Sequence, residues 1–397
     1  MTEPGHDHLA RWRADTPGAT HRVHFNNAGA GLMPAPVVTA VVDHLIAESQ
    51  LGGYEAADLA APRIGAAYDD VAALIGTRRH NVAIVENATV AVAQALSAFD
   101  LSPGDIVVTS TADYVSNQLM LLSLRDRRGI VIQRARDLDA GGVDPEHLAS
   151  LLANPRVRLV VLSWIPTNSG LVQDVVAVGR ACRDRGVPYL VDGCQAVGQL
   201  PVDVATLHCD FLAATARKFL RGPRGIGFLY VADRALEAGW YPLYLDLRGG
   251  TWLDPDRFAP ADDARRFENW EFAVANVLGV GAAARYAGAV AADGALERTQ
   301  WLASSARDRL ATLPGVRILD RGLHRSAIVT LDLGRDPVPV MTALRGDGIN
   351  TSCFGRSSAV IDMDAKGVTA GLRISPHYYN TLDELDRLAR SLASQLG

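Results

Sequence analysis

Lysine is the residue this chain most nearly does without. Of 39 basic residues in 397, only Lys218 and Lys366 are lysines; the rest are arginines. Acidic residues number 44, giving a net charge of −5, so there is no global basic footprint for nucleic acid or an anionic membrane. Cysteine is scarce as well: Cys182, Cys194, Cys209 and Cys353 show no CxxC or other metal-ligand spacing, and no metal is expected. They read as reduced thiols of a cytoplasmic protein. No apolar run is expected to span a bilayer, and residues 1–15 lack the apolar core of a signal peptide. His6 and His8 read as polar tail. GxSxG and GxxxxGK[ST] are both missing. Gly279 to Ala284 matches GxGxxA, but no β-branched strand precedes it and the chain beyond stays helical, so it reads as close helix packing.

What the chain has is alternation. Short apolar runs at Val82–Val85, Ile106–Ser110, Ile130–Gln133, Leu159–Ser163, Tyr189–Val191 and Phe211–Ala214 read as buried strands separated by helical stretches. That order predicts an α/β fold with a mostly parallel sheet covered on both faces. Helices are expected at 36–49, from 54 to about 74, and over 90–98. Asn87 or Thr89 near the start of the last is a capping signal that also leaves N–H groups for an anion. Residues 24–31 read as a strand breaking into a glycine-rich loop, where small residues let backbone approach a ligand. Residues 240–272 are loop-rich and aromatic, residues 274–313 helical, and a smaller α+β unit follows. The expected division is an N-terminal segment over 1–35, a large domain over 36–272 and a smaller one over 273–397.

The chemistry concentrates between Pro188 and Val231. One strand ends in Asp192, with Gln195 just beyond; the next ends in Thr215-Ala216-Arg217-Lys218, followed by Gly222-Pro223-Arg224-Gly225. Ligand sites in open α/β sheets collect at the carboxyl ends of strands, so an acid and an amine at two such ends predict one pocket. Arginine stays protonated and cannot form a Schiff base, whereas a lysine pKa falls on burial or beside cations. Arg217, Arg221 and Arg224 are the expected cations. Glu86, Asp113 and Asp192 could be drawn as an acid pair, but strand ends carry polar residues routinely, and only Asp192 is singled out.

These residues carry a resemblance. The acid-containing Asp192-Gly193-x-Gln195, the lysine at 218 and the run from Gly222 to Val231 resemble the class V aminotransferase group of fold type I pyridoxal-phosphate enzymes, from Asn26 to the last helix. That group includes cysteine desulfurases, kynureninase, isopenicillin N epimerase and C–S lyases. Gly52-Gly53-Tyr54-Glu55-Ala56-Ala57, the Arg217-Lys218 turn and Leu372–His377 look like lyases acting on S-conjugated cysteines in ergothioneine and lincosamide pathways. The resemblance implies that Lys218 carries pyridoxal 5'-phosphate as a Schiff base and that Asp192 pairs with the pyridinium nitrogen. Gln195 and Asn168 would hold the ring oxygen edge, and Tyr114 would stack on the ring where the family often has histidine. Ala88, Thr89, Thr215 and Arg217 would hold the phosphate. Asn27, Ala28, Tyr54 and Arg373 would meet the substrate, with Arg373 clamping its carboxylate.

The implied activity is β-elimination from an S-substituted cysteine. Decarboxylation with oxidative deamination to an aldehyde, desulfuration, epimerisation and transamination are alternatives on the same scaffold. The resemblance also implies a homodimer with its site at the interface, a small amino-acid substrate, and neither nucleic acid nor membrane as partner. Two positions depart from the family pattern. Glu271 stands where a cross-subunit threonine meets the phosphate. Cys353 lies near the desulfurase nucleophile region, but its spacing to Arg373 is longer and no surrounding motif matches; it reads as a small loop residue.

Overall fold

A computed structural model describes residues 3–397. Its centre is a seven-stranded sheet, β1 (Val82–Val85), β2 (Ile106–Thr109), β3 (Val131–Arg134), β4 (Val157–Ser163), β5 (Tyr189–Asp192), β6 (Phe211–Thr215) and β7 (Gly227–Val231). The spatial order is β1-β7-β6-β5-β4-β2-β3. Pairs among β2 to β6 are parallel, and β7 runs antiparallel to both β6 and β1. The mostly parallel α/β architecture expected from the alternation is therefore present.

The strands read as unbroken apolar runs because both faces are covered. Tyr189, Val191, Leu212 and Ala214 pack into one core, while Leu190, Phe211 and Ala213 pack into a second on the opposite face. Helices α1 (Ala35–Leu51), α2 (Gly53–Leu74), α3 (Ala88–Ser97) and α4 (Val115–Arg128) precede or interleave the first strands. The aromatic segment after β7 is more ordered than the loop expected for it: Gly250–Asp254 and Arg257–Pro260 pair as an antiparallel hairpin. Helix α5 (Val274–Ala292) then packs on α1 and α2.

A four-stranded sheet follows, made of β8 (Arg317–Ile318), β9 (Val329–Asp332), β10 (Ser352–Gly355) and β11 (Ala370–Ile374) in the order β8-β9-β11-β10. The N-terminal segment joins this region: Val23–His24 pairs parallel with Ile349–Asn350, and Asn26 bridges Ser375. The last helix is α6 (Leu382–Leu396), opened by a capping box between Thr381 and Glu384.

Helix α5 corrects one expectation. At 19 residues and mean hydropathy 1.3 it is long and apolar enough to cross a membrane, yet 56% of its apolar window is buried inside the protein. It is a core helix, and its GxGxxA run serves close packing. A Cβ on Gly281 would lie 2.6 Å from Ala67 Cβ, and one on Gly279 would lie 2.5 Å from Pro223 Cγ. Gly288, on the same helix, has nothing within 4 Å of an added Cβ. Alanine raises helix propensity by about 1 kcal/mol over glycine, whereas overpacking costs about 1–3 kcal/mol. Gly281→Ala is therefore expected to lower stability and Gly288→Ala to raise it by up to about 1 kcal/mol, read from denaturant midpoints. Equal effects of the two substitutions would contradict this packing.

Candidate active site

β2 leads outward to β3, whereas β4 leads the other way to β5 and β6, so the connections diverge between β2 and β4. Clefts form at such switch points, beyond the carboxyl ends of the strands. A cavity of about 510 Å³ opens here, with Lys218, Asp192, Tyr114, Thr215 and Arg217 in its wall. Ala88 and Thr89 face it from the head of α3. There the Asn87 side chain caps the N–H of Val90 at 3.0 Å, and the first-turn amides have no partner within the helix. Seven of the predicted site residues thus meet in one place.

Both lysines of the chain are buried, at 6% and 8% exposure, but only one is paired. Lys366 Nζ meets Asp362 Oδ2 at 2.6 Å. Among the described residues Lys218 has no carboxylate oxygen within 4.0 Å. Burial lowers the Lys218 pKa first; Arg217 and Arg373 lower it further, against the opposing pull of Cys194 and Asp192. Its Nζ lies 5.5 Å from the centre of the Tyr114 ring.

The lysine turn is fixed by backbone that only small residues permit. The Gly31 N–H donates to the Arg217 carbonyl at 2.7 Å, and a Cβ on Gly31 would sit 2.7 Å from the Lys218 carbonyl oxygen. Arg221, expected to stand near the amine, turns away. With φ at +61°, it donates to the Tyr378 hydroxyl, to Thr16 Oγ1 at 2.6 Å and to the Leu32 carbonyl at 2.7 Å. The Tyr379 ring centre lies 4.6 Å from its guanidinium carbon. Arg221 anchors the turn, and Arg373 takes the electrostatic part assigned to it.

Asp192 accepts from Asn117 Nδ2 and from the Cys194 N–H, both at 3.0 Å. Neither donor is among the expected site residues, although Asn117 sits three residues past Tyr114 in the first turn of α4. Gln195 donates to the Ala28 carbonyl and to Thr167 Oγ1, both at 3.1 Å, while its own Oε1 is buried without a donor. Arg373 converges on the same threonine, at 2.6 Å from Oγ1 and 3.1 Å from the carbonyl. It has no carboxylate partner, its Nε is buried and unpaired, and burial and Arg217 push its pKa down to about 10. A buried guanidinium in this state can accept a carboxylate.

Asn27 is saturated within the fold, donating to the Ser375 carbonyl at 2.8 Å and accepting from the Tyr379 hydroxyl at 2.6 Å. It positions the loop that carries Ala28. Asn168 differs from expectation: its Nδ2 donates to Asp362 Oδ2 at 3.1 Å, because that buried carboxylate needs a second donor beside Lys366.

With this geometry in place, the comparisons with known proteins are decisive on family. Residues 23–388 match the family described as Aminotransferase class-V. The chain belongs to that family. It is 28% identical to a probable cysteine desulfurase of Methanothermobacter thermautotrophicus, covering 97% of each chain. It is 29% identical to a probable hercynylcysteine sulfoxide lyase of Mycobacterium tuberculosis, covering 98% of this chain and 94% of that one. The crystal structure of the cysteine desulfurase CsdA from Escherichia coli superposes with a TM-score of 0.87 at 26% identity, covering 98% of each chain.

Class V aminotransferases use pyridoxal phosphate, and the residues present fit it: an unpaired buried amine, an acid with acceptor capacity left, a helix start beside Arg217, and the orphaned Gln195 Oε1. The chain is a pyridoxal-phosphate-dependent enzyme of the desulfurase and C–S lyase group.

Tyr54, Glu271 and Cys353 stand apart from the cavity. Tyr54, 76% exposed, lines a separate groove of about 530 Å³ with Trp270 and Glu271. Cys353 sits on β10, where Ser352 is opposite Arg373 and Cys353 is opposite Leu372. Side chains alternate across a strand, so the thiol shares the fully buried Leu372 face, and Arg373 projects from the other. Burial raises the Cys353 pKa to about 11.

The amine of Lys218 gives a stability signature. Its pKa falls on folding, so below the ordinary lysine value of 10.5 the unfolded chain binds more protons, and stability rises with pH through that window. Lys218→Met, near in shape and uncharged, is expected to stabilise the cofactor-free protein at neutral pH. That advantage should shrink as pH climbs toward the ordinary lysine value. A Met variant less stable than wild type at neutral pH, by urea unfolding, would show that the amine is charged and paired.

Proposed function

We propose that this enzyme is a C–S β-lyase that cleaves an S-substituted L-cysteine to a thiol, pyruvate and ammonia. The observation that carries the reading is the division of faces on β10 and β11: Arg373 projects toward Thr167 and the site, and Cys353 toward the core. The relatives' names support sulfur chemistry on a cysteine skeleton. A desulfurase needs a thiol beside the substrate to receive sulfur, and Cys353 is turned away with its pKa raised to about 11.

Pyridoxal phosphate, when bound, supplies an electron sink for the bond broken at Cα. Arg373 grips the substrate carboxylate with its free N–H edge and so orients Cα. The Lys218 amine, held toward neutrality by burial, accepts the Cα proton. Asp192, fixed by Asn117 and the Cys194 amide, holds positive charge at the ring nitrogen. The thiolate then leaves Cβ and takes a proton. Overall one water is consumed, the C–S bond is replaced by S–H, and the remaining carbons depart as pyruvate with ammonia.

The reading extends to a homodimer in the reducing cytoplasm. Val42, Leu45 and Ile46 of α1 are 44–51% exposed on a helix that a monomer would leave uncovered. Tyr54 and Glu271, without a role in their own chain's cavity, share a groove on the surface. The four cysteines are unpaired.

Product analysis tests the reaction. Incubation with S-conjugated cysteines should release free thiol and pyruvate in equal amounts. Aldehyde with carbon dioxide, or alanine with sulfane sulfur, would overturn the lyase assignment. Cys353→Ala should keep more than about half of wild-type turnover, and near-total loss would restore the desulfurase reading. Light scattering should give twice the 42.4 kDa chain mass.

A further inference from the structure

The acid that reads in sequence as an ordinary strand-end residue is the most heavily bonded carboxylate near the cavity. Asp113 is 4% exposed, between β2 and α4. Its Oδ2 accepts from Thr109 Oγ1 at 2.7 Å and Gln118 Nε2 at 3.2 Å. Its Oδ1 accepts from the Tyr114 N–H at 2.7 Å, from the Ser163 hydroxyl, and at longer range from Asn117 Nδ2, 3.4 Å away. A carboxylate has about four lone-pair sites, so Asp113 is filled and has nothing left for a ligand.

Asp192 is the opposite case. It shares the Asn117 amide with Asp113, at 3.0 Å, and takes the Cys194 N–H, which leaves acceptor capacity in the cavity wall. The Ser163 hydroxyl lies 3.5 Å from Asp192 Oδ2, but its single proton goes to Asp113, and its oxygen accepts the Tyr114 N–H at 3.1 Å. Two buried carboxylates therefore divide the work. One is spent on the scaffold; the other is kept open.

We propose that Asp113 is a positioning residue that locks the Tyr114 backbone and, through Asn117 and Ser163, the Asp192 carboxylate, setting the two ring-facing groups of the cavity relative to each other. The inference rests on the pyridoxal-phosphate reading of the site. A filled acceptor is the group whose replacement by an amide does most harm, because an amide in its place would turn N–H donors toward donors already present. Either Thr109 and Gln118 on one side, or the Tyr114 N–H, Ser163 and Asn117 on the other, would then have to find other partners.

The test uses apoprotein reconstituted with pyridoxal phosphate, comparing wild type with Asp113→Asn, Asp113→Glu and Gln118→Ala. Asp113→Asn is expected to weaken cofactor binding at least tenfold and to change the induced circular dichroism of the bound cofactor, which reports the placement of Tyr114 and Asp192. Asp113→Glu should recover part of both. Gln118→Ala removes that side chain's bonds to Thr109, Asp113 and Arg134, none of which reaches Tyr114 or Asp192, and so controls for loss of stability; it should lower the melting temperature of the apoprotein without altering the dichroic band. Wild-type affinity and an unchanged band in Asp113→Asn would overturn the proposal. So would a change of affinity and band in Gln118→Ala as large as that in Asp113→Asn, since any loss of stability would then suffice. Failure of wild type itself to bind the cofactor would instead remove the reading beneath it, and is seen before any variant is compared. If Asp113→Asn does not fold, Ser163→Ala takes its place, with a smaller change of the dichroic band expected and no change overturning the proposal.

Discussion

The structure is arranged around keeping one amine out of water without giving it a counter-ion. An isolated ammonium in a protein interior is costly, and the usual escape is a carboxylate partner or loss of the proton. The two lysines take one route each. Lys366 is matched by Asp362 within one helical turn, whereas Lys218 shares its cavity with Asp192, Arg217 and the Tyr114 ring and has no carboxylate within ion-pair distance. The nearby positive groups, Arg217 and Arg373, make protonation still less favourable. On the proposed reading, phosphate at one and a substrate carboxylate at the other would complete the charge balance.

The sheet makes this arrangement possible. Because both faces of β4, β5 and β6 are buried in apolar cores, their carboxyl ends are held with little freedom, and polar residues one or two positions beyond them inherit that rigidity. Ser163, Asp192 and Thr215 are the terminal residues of three adjacent strands. The second sheet contributes by its pleat: alternate residues of β11 separate Arg373 from Leu372, putting recognition on one side and packing on the other. A single-residue slip in the β10–β11 register would exchange them.

Much of the seven-stranded sheet is legible in sequence, because fully buried strands leave short β-branched runs that no surface segment would carry. Tyr189–Val191 and Phe211–Ala214 are each one residue short of the observed strands. Lys218 stands out by composition alone. The glycine run in α5 is separated from a dinucleotide motif by what fails to precede it. Less legible are residues whose meaning depends on distant partners. Asn168 is claimed by Asp362, 194 residues further on. Arg221 is drawn from the amine by Thr16, Leu32 and Tyr378. Asp113 has a local trace, Thr109 four residues before it and Asn117 four after, but the deciding contact with Ser163 comes from another strand. β10 escapes a sequence reading because Ser-Cys-Phe-Gly has no strand pattern apart from its pairing with β11.

The loop that closes over the lysine turn joins both extremes of the polypeptide. Gly31 is bonded to Arg217, Asn27 to Ser375 and Tyr379, and the strand before them to residues 349–350. Contacts of such sequence separation form late, after the entropy of closing very long loops has been met. During synthesis the sheet can assemble once β7 has emerged and Gly31 can then meet Arg217, yet Asn27 has no partner until Ser375 and Tyr379 have been made. A chain stalled before β11 would therefore lack the contacts that hold the Asn27 end of this loop.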